Sequence, residues 1–297
     1  MPLATTGELI ARAVASGGAV AAFNVITLEH VEAVVAGAES AGAPVVLQVS
    51  ENAVKFRHGR LLPLARAATA AAERAAVPVA LHLDHVQSED LLRQAPAAGF
   101  SSVMYDASRL PYADNLAATR AAADWAHTQG LWFEAELGRI GGKHGDAPVD
   151  AHAPGARTDP DEAAAFVADT GVDALAVAVG TSHAMTTRTA AIDHALLGRL
   201  RTALPVPLVL HGSSGLSDDE LRAAVAGGIT KVNIGTALNL AMTGAVREFL
   251  AGHPEAVDAR TYLGVGREAM TGTVARLAAV VQGTNAPAEN HTQGAAR

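Results

Sequence analysis

The 297-residue sequence contains no cysteine and few aromatic residues. Without cysteine the chain has neither disulfide bonds nor thiolate metal ligands, so any metal must be bound by histidine or carboxylate side chains. Phe, Trp and Tyr together make up 4% of the residues, which leaves alanine, valine and leucine to build the core. Hydrophobic residues reach 49% and charged residues 18%, a composition typical of a globular protein rather than of a disordered one.

Basic residues and long apolar runs are also scarce. The chain has 22 Lys and Arg against 30 Asp and Glu, a formal net charge of -8, which argues against non-specific binding to nucleic acid or to an anionic membrane surface. A small anionic substrate is compatible with this charge because it needs only a local site. No apolar run is long enough to span a bilayer, and the first eight residues do not have the pattern of a signal peptide. We therefore expect a cytoplasmic protein without nucleic-acid or membrane partners.

Short apolar runs alternate with amphipathic or alanine-rich segments along the chain. The predicted strands are residues 19–24, 44–50, 77–83, 101–105, 131–137, 174–179, 206–210 and 229–234. The predicted helices are residues 4–16, 28–41, 60–76, 89–98, 112–129, 160–169, 193–203, 217–226, 236–251 and 260–282. Continuously apolar strands are typical of a parallel sheet that is buried on both faces.

This eightfold β/α alternation predicts the α/β class and a (β/α)8 TIM barrel in a single domain. The barrel would cover residues 1–283 with extra N- and C-terminal helices, and residues 284–297 would form a disordered tail. An open, doubly wound sheet is the structural alternative. It is less favoured because no Gly-x-Gly-x-x-Gly follows the first predicted strand.

The segment His82-Leu83-Asp84-His85 lies at the end of the third predicted strand. Alternation along a strand puts His82 and Asp84 on one face. His85 would point the other way unless the strand has ended, so we place it at the C-terminal rim. A lone buried histidine is usually a structural residue, but three titratable groups in four residues are costly to bury without a use. Two imidazoles beside a carboxylate can bind a metal and move a proton.

Polar side chains follow every predicted strand, at the rim where TIM barrels have their active sites. They are Asn24, Ser50, Asp84 with His85, Asp106, Glu134 with Glu136, His183, His211 and Asn233. Three histidines of this set, His85, His183 and His211, come from three different strand ends. Three imidazoles with one open position suit a catalytic Zn²⁺, so the sequence predicts a metal site.

Two small-residue turns follow the seventh and eighth predicted strands, at residues 211–215 (HGSSG) and 233–236 (NIGT). Each turn leads into a helix whose first backbone N–H groups can bind a phosphate. The loops after strands seven and eight are also the usual phosphate site of a TIM barrel. The simpler alternative is a pair of tight turns that need glycine.

Six ordered motifs resemble those of the class II, metal-dependent ketose-bisphosphate aldolases, the family of fructose- and tagatose-bisphosphate aldolases. The motifs are AFNV at 22–25, HLDH at 82–85, EAELGR at 134–139, GTSH at 180–183, LHG at 210–212 and KVN at 231–233. The similarity extends from about residue 21 to about residue 270. It is greatest to the tagatose-bisphosphate type.

The resemblance implies a role for each matching site residue. It implies that His85, His183 and His211 bind Zn²⁺, with Co²⁺ or Mn²⁺ as alternatives. Asp84 would be the acid–base residue for the C4 hydroxyl group. Asp106 and Glu136 would bind a second metal or orient the ligands. The residues expected to contact the substrate or its phosphate are Asn24, Ser50, Gly212, Ser214, Asn233 and Thr236. A monovalent cation, Na⁺ or K⁺, a phosphorylated sugar substrate and a homodimer or homotetramer are implied as well.

The expected reaction is the reversible cleavage of a ketose 1,6-bisphosphate, or a related phosphorylated keto-sugar, to dihydroxyacetone phosphate and an aldehyde. A Lewis-acidic metal would stabilise the enediolate, and Asp84 would accept the hydroxyl proton. A Schiff-base lysine is the other chemical solution, and Lys231 is a less favoured candidate for it. Two other classes stay open: a non-catalytic phosphosugar-binding or chaperone-like subunit, and a metal-dependent hydrolase with a two-metal site or a carbamylated lysine.

The sequence departs from the family pattern in three places. The mobile loop of the family carries a glutamate for proton exchange after Gly-Gly, whereas residues 141–146 read GGKHGD here, so His144 and Asp146 are the candidates for that step. Gly235 replaces the aspartate of fructose-type members, and Ala184 replaces the glycine that usually follows His183. These changes leave the ketose phosphate and its epimer open.

Overall fold

The strands of the chain close into one parallel barrel in sequence order. They are β1 (Val20–Asn24), β2 (Val45–Ser50), β3 (Val79–Val86), β4 (Ser102–Tyr105), β5 (Trp132–Leu137), β6 (Ala174–Val177), β7 (Leu208–Leu210) and β8 (Ile229–Ile234). The barrel closes where β1 pairs with β8, from Val20 opposite Lys231 to Phe23 opposite Ile234. The computed structural model describes residues 3–138, 140–142 and 156–283, and it confirms the predicted single-domain TIM barrel.

Helices surround the barrel and cover its N-terminal end. They are α1 (Thr6–Ser16), α2 (Leu28–Ala41), α3 (Glu51–Phe56), α4 (Leu62–Arg74), α5 (Glu89–Leu92), α6 (Ala95–Ala98), α7 (Tyr112–Thr128), α8 (Pro160–Thr170), α9 (His194–Ala203), α10 (Asp218–Gly227), α11 (Thr236–Gly252) and α12 (Ala259–Gln282). A 3₁₀ turn, Ser213–Gly215, lies between β7 and α10. None of the helices in the described ranges is long and apolar enough to cross a membrane.

Two helical regions differ from the sequence prediction. Helix α3 was not predicted; it begins directly after β2, where the Ser50 hydroxyl accepts a hydrogen bond from the Ala53 amide. The single helix predicted over residues 89–98 is two short helices, α5 and α6. Pro96 lies at the start of α6, where its missing N–H is tolerated, but it could not continue a longer helix.

The barrel interior is layered from bottom to top. Leu9 and Ile10 of α1 pack against Val20, Val46 and Ala80 and close the N-terminal end with apolar side chains. Above this layer buried polar side chains lie beside a small apolar cluster of Ala174, Ala176 and Val209, where a TIM barrel usually has branched apolar residues. These polar side chains are Gln48, His82, Ser102, Glu134, Lys231 and Asn233. This polar layer supports the C-terminal mouth of the barrel from below.

Candidate functional site

A bulge in β3 directs two consecutive side chains into the mouth of the barrel. The pairing register between β3 and β4 shifts between Leu83 and Val86, and His85 has a φ of 49°. A positive φ is uncommon for a residue other than glycine. Regular alternation would turn His85 away from the face that carries Asp84, whereas both line the same cavity here. The strand continues past His85, so the bulge, and not an early strand end, places this side chain.

The three predicted histidine ligands meet at the mouth. The ring centroids are 5.1 Å apart for His85 and His183, 4.8 Å for His85 and His211, and 5.6 Å for His183 and His211. One ligand atom from each of these rings and one carboxylate oxygen of Glu136 all lie within 4.8 Å of one another. Three imidazoles and a carboxylate are a donor set that fits Zn²⁺ and similar divalent transition metals.

Asp106 fixes the orientation of His85. Its Oδ2 atom lies 2.8 Å from His85 Nδ1, and since an ionised carboxylate only accepts hydrogen bonds, Nδ1 carries the proton and Nε2 is left for a metal. The Oδ1 atom accepts hydrogen bonds from the Ser108 amide at 3.2 Å and the Ser108 hydroxyl at 2.6 Å. The same hydroxyl oxygen lies 3.2 Å from Glu136 Oε1, so its one proton is shared between the two carboxylates. Ser108 joins both predicted orienting carboxylates, and the sequence analysis did not identify it.

His211 lies between two carboxylates in a fully buried position. Its Nδ1 is 2.9 Å from Glu136 Oε2 and its Nε2 is 3.0 Å from Glu134 Oε1. Burial alone would lower the pKa of His211, but the hydrogen bonds with Glu134 and Glu136 raise it to about 9. The ring is therefore an imidazolium at neutral pH, and a metal bound to it would replace one of its protons.

The loop that carries His183 begins after the end of β6. The His183 amide donates a hydrogen bond to the Gly141 carbonyl at 2.7 Å, which ties this loop to the start of the segment after β5. Ala184, the next residue, has a φ of 57°. This left-handed conformation favours glycine, which explains why alanine is unusual at this position.

Asp84 is a buried carboxylate held by two amide groups. Asn24 donates to its Oδ2 at 2.8 Å and Asn233 donates to its Oδ1 at 3.4 Å. Burial alone would raise the pKa of Asp84, but the adjacent His85, with His82 and Lys231, lowers it below its usual value. Asp84 is therefore ionised at neutral pH and can accept a proton in the cavity.

Lys231 lies in the polar layer and not among the residues that line the cavity. Its Nζ donates to Glu134 Oε2 and to Asn233 Oδ1, each at 2.8 Å. These contacts hold the amine below the site, which argues against a Schiff base at this residue.

The two predicted turns form one end of a cavity of about 370 Å³. Gly212, Ser214, Gly235 and Thr236 line this end. The Ser214 hydroxyl accepts a hydrogen bond from the Ala237 amide at 3.1 Å, which joins the turn after β7 to the first turn of α11. The arrangement brings backbone N–H groups and hydroxyl groups together, as a phosphate site requires.

The cavity is also lined by residues that the sequence analysis missed. They are Asn52, Lys55 and Arg109, which line it together with the predicted Ser50. Glu51, which is buried, accepts hydrogen bonds from the Gln87 amide at 2.6 Å and the Ser88 amide at 3.1 Å and pairs with Lys55 at 2.8 Å. The available signal was Ser50 itself, a helix-capping residue followed by an acidic first turn.

The structure therefore brings most of the predicted site residues to one place. The predicted residues that line the cavity are Asn24, Ser50, Asp84, His85, Asp106, His183, Gly212, Ser214, Asn233 and Thr236. His211 and Glu136 do not line the cavity but contact each other. They belong, with His85 and His183, to the candidate metal group, called the metal group below. His144 and Asp146 lie outside the described residues.

Comparisons with known proteins agree with this geometry. The family model described as class-II fructose-bisphosphate aldolase matches residues 4–286. The YdjI aldolase from Escherichia coli K12 is 31% identical with a TM-score of 0.79, and the alignment covers 94% of this chain and 97% of that one. A Coccidioides immitis protein provisionally assigned as a fructose-1,6-bisphosphate aldolase is 28% identical, with a TM-score of 0.82 and coverage of 93% and 95%. The Campylobacter jejuni fructose-bisphosphate aldolase, 24% identical with a TM-score of 0.78 and coverage of 94% and 95%, shares the fold.

Proposed function

Because the chain belongs to the class-II fructose-bisphosphate aldolase family and is an aldolase, we propose that it uses a divalent metal to cleave a phosphorylated ketose reversibly. The products would be dihydroxyacetone phosphate and an aldehyde, and the substrate a ketose 1,6-bisphosphate of the fructose or tagatose type or a related keto-sugar phosphate. The observation that carries this proposal is the group of His85, His183, His211 and Glu136, with ligand atoms within 4.8 Å of one another. Asp84, adjacent to His85, supplies the base.

The metal would be held by the three histidines, with Glu136 as a further ligand or a hydrogen-bond partner. Zn²⁺ fits these donors, and Co²⁺ or Mn²⁺ could replace it. When bound, the metal supplies a Lewis acid for the ketone oxygen of the substrate. For His211 we propose Nδ1 as the ligand atom because it faces Glu136, a member of the metal group, whereas Nε2 faces Glu134.

Asp84 would accept the proton of the C4 hydroxyl group, and C4 is one of the two carbons of the C3–C4 bond that breaks. Its two amide donors, Asn24 and Asn233, fix its direction, and its lowered pKa keeps it ionised. General base catalysis of this kind contributes roughly 10²–10⁴-fold. In the reverse direction the same group returns the proton to the new alkoxide.

The turns at Gly212–Ser214 and Gly235–Thr236 would bind the phosphate of the dihydroxyacetone half. Backbone N–H groups and the hydroxyls of Ser214 and Thr236 can bind an anion there despite the overall charge of -8. Asn24 and Ser50 would contact the substrate further along the cavity. The monovalent cation, the oligomeric state, the cytoplasmic location and the tail at 284–297 stay predictions.

The other classes have less support. A non-catalytic binding subunit does not agree with aldolase family membership together with a buried, oriented Asp84. A hydrolase with a carbamylated lysine would need that lysine at the metal group. Within the described residues, Lys231 is paired with Glu134 below the site and Lys55 is paired with Glu51.

A coupled assay for dihydroxyacetone phosphate tests the proposal. The zinc-loaded protein should cleave at least one of a panel of fructose, tagatose and related ketose phosphates. A chelator should abolish the activity, and added Zn²⁺, Co²⁺ or Mn²⁺ should restore it. His183→Ala should lose metal and activity, whereas His194→Ala, which removes an exposed ring paired with Glu220, should lose neither. Full activity in metal-depleted protein would refute the proposed metal dependence.

A further inference from the structure

Lys231 is a buried lysine that the proposed reaction does not use. Its side chain is 0% exposed and lies in the polar layer inside the barrel, beneath the cavity. Burial of an ammonium group is costly unless it is paired and hydrogen bonded. A position of this kind therefore needs a physical explanation, and the contacts of the Nζ atom provide one.

Two hydrogen-bonded paths start at the Nζ atom, and the first hydrogen bond of each is 2.8 Å long. One runs through Glu134: Oε2 accepts from Nζ at 2.8 Å, and Oε1 lies 3.0 Å from His211 Nε2. The other runs through Asn233: Oδ1 accepts from Nζ at 2.8 Å, and Nδ2 donates to Asp84 Oδ1 at 3.4 Å. A single ammonium group thus lies one side chain away from a proposed metal ligand and one side chain away from the proposed base.

Each path fixes the orientation of a side chain that could otherwise adopt more than one orientation, the Asn233 amide in one path and the Glu134 carboxylate in the other. An asparagine amide has a donor end and an acceptor end, and an ammonium group can only donate. Lys231 therefore holds the Asn233 oxygen, so the amide nitrogen turns toward Asp84. In the same way Lys231 binds Oε2 of Glu134, so that Oε1 is directed to Nε2 of His211 and Nδ1 of the ring is turned toward Glu136. Without Lys231 both side chains would be free to rotate.

We propose that Lys231 is a positioning residue that orients the metal ligand His211 through Glu134 and the base Asp84 through Asn233. The proposal rests on the proposed function, since it assigns Lys231 to that site. A lysine needed only for stability would serve as an ion pair with Glu134 and would affect neither metal binding nor turnover.

The test replaces the amine by a side chain of similar length in Lys231→Met. We measure zinc affinity by competition with a chromogenic chelator, kcat at saturating zinc, and thermal unfolding. Zinc affinity should fall about 10–100-fold, the usual effect of losing an outer partner of a metal ligand, and kcat should fall at least about tenfold even when zinc is saturating. Thr230→Val is the matched control, because it removes a β8 hydrogen bond to the Leu208 carbonyl and should change neither quantity.

The single replacement leaves Glu134 buried without its cation, so it could prevent folding. The double replacement Lys231→Met with Glu134→Gln removes both charges and should fold while still showing both losses. A folded variant with wild-type zinc affinity and wild-type kcat would show that the pair is only structural and overturn the proposal. A folded variant that loses zinc affinity but not kcat, or kcat but not zinc affinity, would also overturn the proposal. If the wild-type protein cleaves no ketose phosphate but Lys231→Met still loses zinc affinity, the proposed substrate has failed and the path to His211 stands.

Discussion

Buried histidines in this barrel have different protonation states because their neighbours differ. His82 and His211 are both 0% exposed. Burial, reinforced by Lys231, lowers the pKa of His82 to about 3, whereas the two carboxylates at His211 outweigh burial and raise its pKa to about 9. His82 Nε2 has no hydrogen-bond partner among the described residues, and the nearest carboxylate oxygens of Asp84 and Glu134 are 3.9 Å away. His82 is therefore neutral in the folded protein.

The neutral state of His82 should give the free energy of unfolding one contribution that is lost in acid. The unfolded chain binds a proton at His82 below about pH 6.5 and the folded chain does not until about pH 3, so this contribution is present above pH 6.5 and is lost as the pH falls through that window. From about pH 7.5 to about pH 5.5 the loss is roughly 1 kcal/mol. His211, whose pKa is raised, contributes in the opposite direction over this range, so the quantity to measure is the difference in urea unfolding free energy between His82→Gln and the wild type. This difference should shift in favour of the variant by this amount between the two pH values.

The exposed His253 provides a control for this pH effect. His253→Gln changes the same residue type at the surface, beside Phe249. Its unfolding free energy should differ between the two pH values by as much as that of the wild type. A His82→Gln protein with the same pH dependence of unfolding free energy as the wild type would contradict the prediction.

At the residue scale, replacement of Asp84 should lower turnover without changing metal binding. Asp84→Asn keeps the size of the side chain and removes its charge, so it should lower kcat by roughly 10²–10⁴-fold. The three histidines and Glu136 are unchanged, so zinc content measured by atomic absorption should stay near that of the wild type. Retention of full activity would refute the assigned role. Glu32→Gln, at a half-exposed ion pair with Arg267, is a carboxylate control that should not change kcat.

At the scale of elements, the bulge in β3 and the short turns after β6 and β7 determine where the proposed ligands lie. The β3 bulge places His85, the Ala184 turn follows His183, and the turn after His211 passes close to the His183 loop. A Cβ built on Gly212, whose φ is 68°, would lie 2.6 Å from the carbonyl carbon and oxygen of Ser182. The metal group therefore depends on the close approach of two backbones.

Gly212→Ala should separate these two turns. The left-handed conformation costs about 1 kcal/mol for alanine, and the contact with Ser182 must also be relieved by moving His183 or His211. We expect kcat/KM to fall at least roughly tenfold, because small displacements at a reacting centre are costly. The coupled assay at saturating zinc measures this loss.

Gly17 is a matched control for this replacement. Its φ is 69°, but among the described residues nothing other than its chain neighbours lies within 4 Å of an added Cβ. Gly17→Ala should therefore lower the unfolding free energy by about 1 kcal/mol and leave kcat/KM unchanged. Equal activity losses in both variants would show that backbone strain, and not the contact with Ser182, is responsible.

At the scale of the whole molecule, we expect the two ends of the barrel to contribute separately to activity and to stability. The C-terminal mouth contains the site, and α1 closes the N-terminal end. Thr6 of α1 lies 2.6 Å from the Ser102 hydroxyl and 3.2 Å from the Ser101 hydroxyl, so a polar contact anchors an otherwise apolar plug. Residues at this end of a TIM barrel usually contribute to stability rather than to activity.

Thr6→Val tests this division. It leaves the buried Ser102 hydroxyl with one partner fewer, which should lower the unfolding free energy by about 1–3 kcal/mol. Because the contact is far from the mouth, kcat/KM should stay within about twofold of the wild-type value. Thr202→Val, which loses only an exposed hydrogen bond to Gly198, should unfold like the wild type. A Thr6→Val protein of normal stability but low activity would contradict the separation.

The fold was predictable because its signals are local. Each strand is a short apolar run and each helix has its own periodicity and caps, such as Thr5 with Glu8 at α1 and Ser217 with Glu220 at α10. The errors were local too: α3 was missed after Ser50, and Pro96 divided one predicted helix. Segments of a few residues contain enough information for these elements, and eightfold alternation leaves few ways to arrange them.

The sequence by itself determined the barrel and the strand ends that carry the candidate ligands, because strand ends of a closed parallel barrel share one rim. It also limited those candidates to histidine and carboxylate, because the chain has no cysteine. Only the tertiary structure decided which groups touch. The β3 bulge, the two carboxylates at His211, the Ser108 bridge and the contacts of Lys231 depend on strand register and side-chain rotamers. These contacts join residues far apart in the chain, and no local pattern fixes such distances.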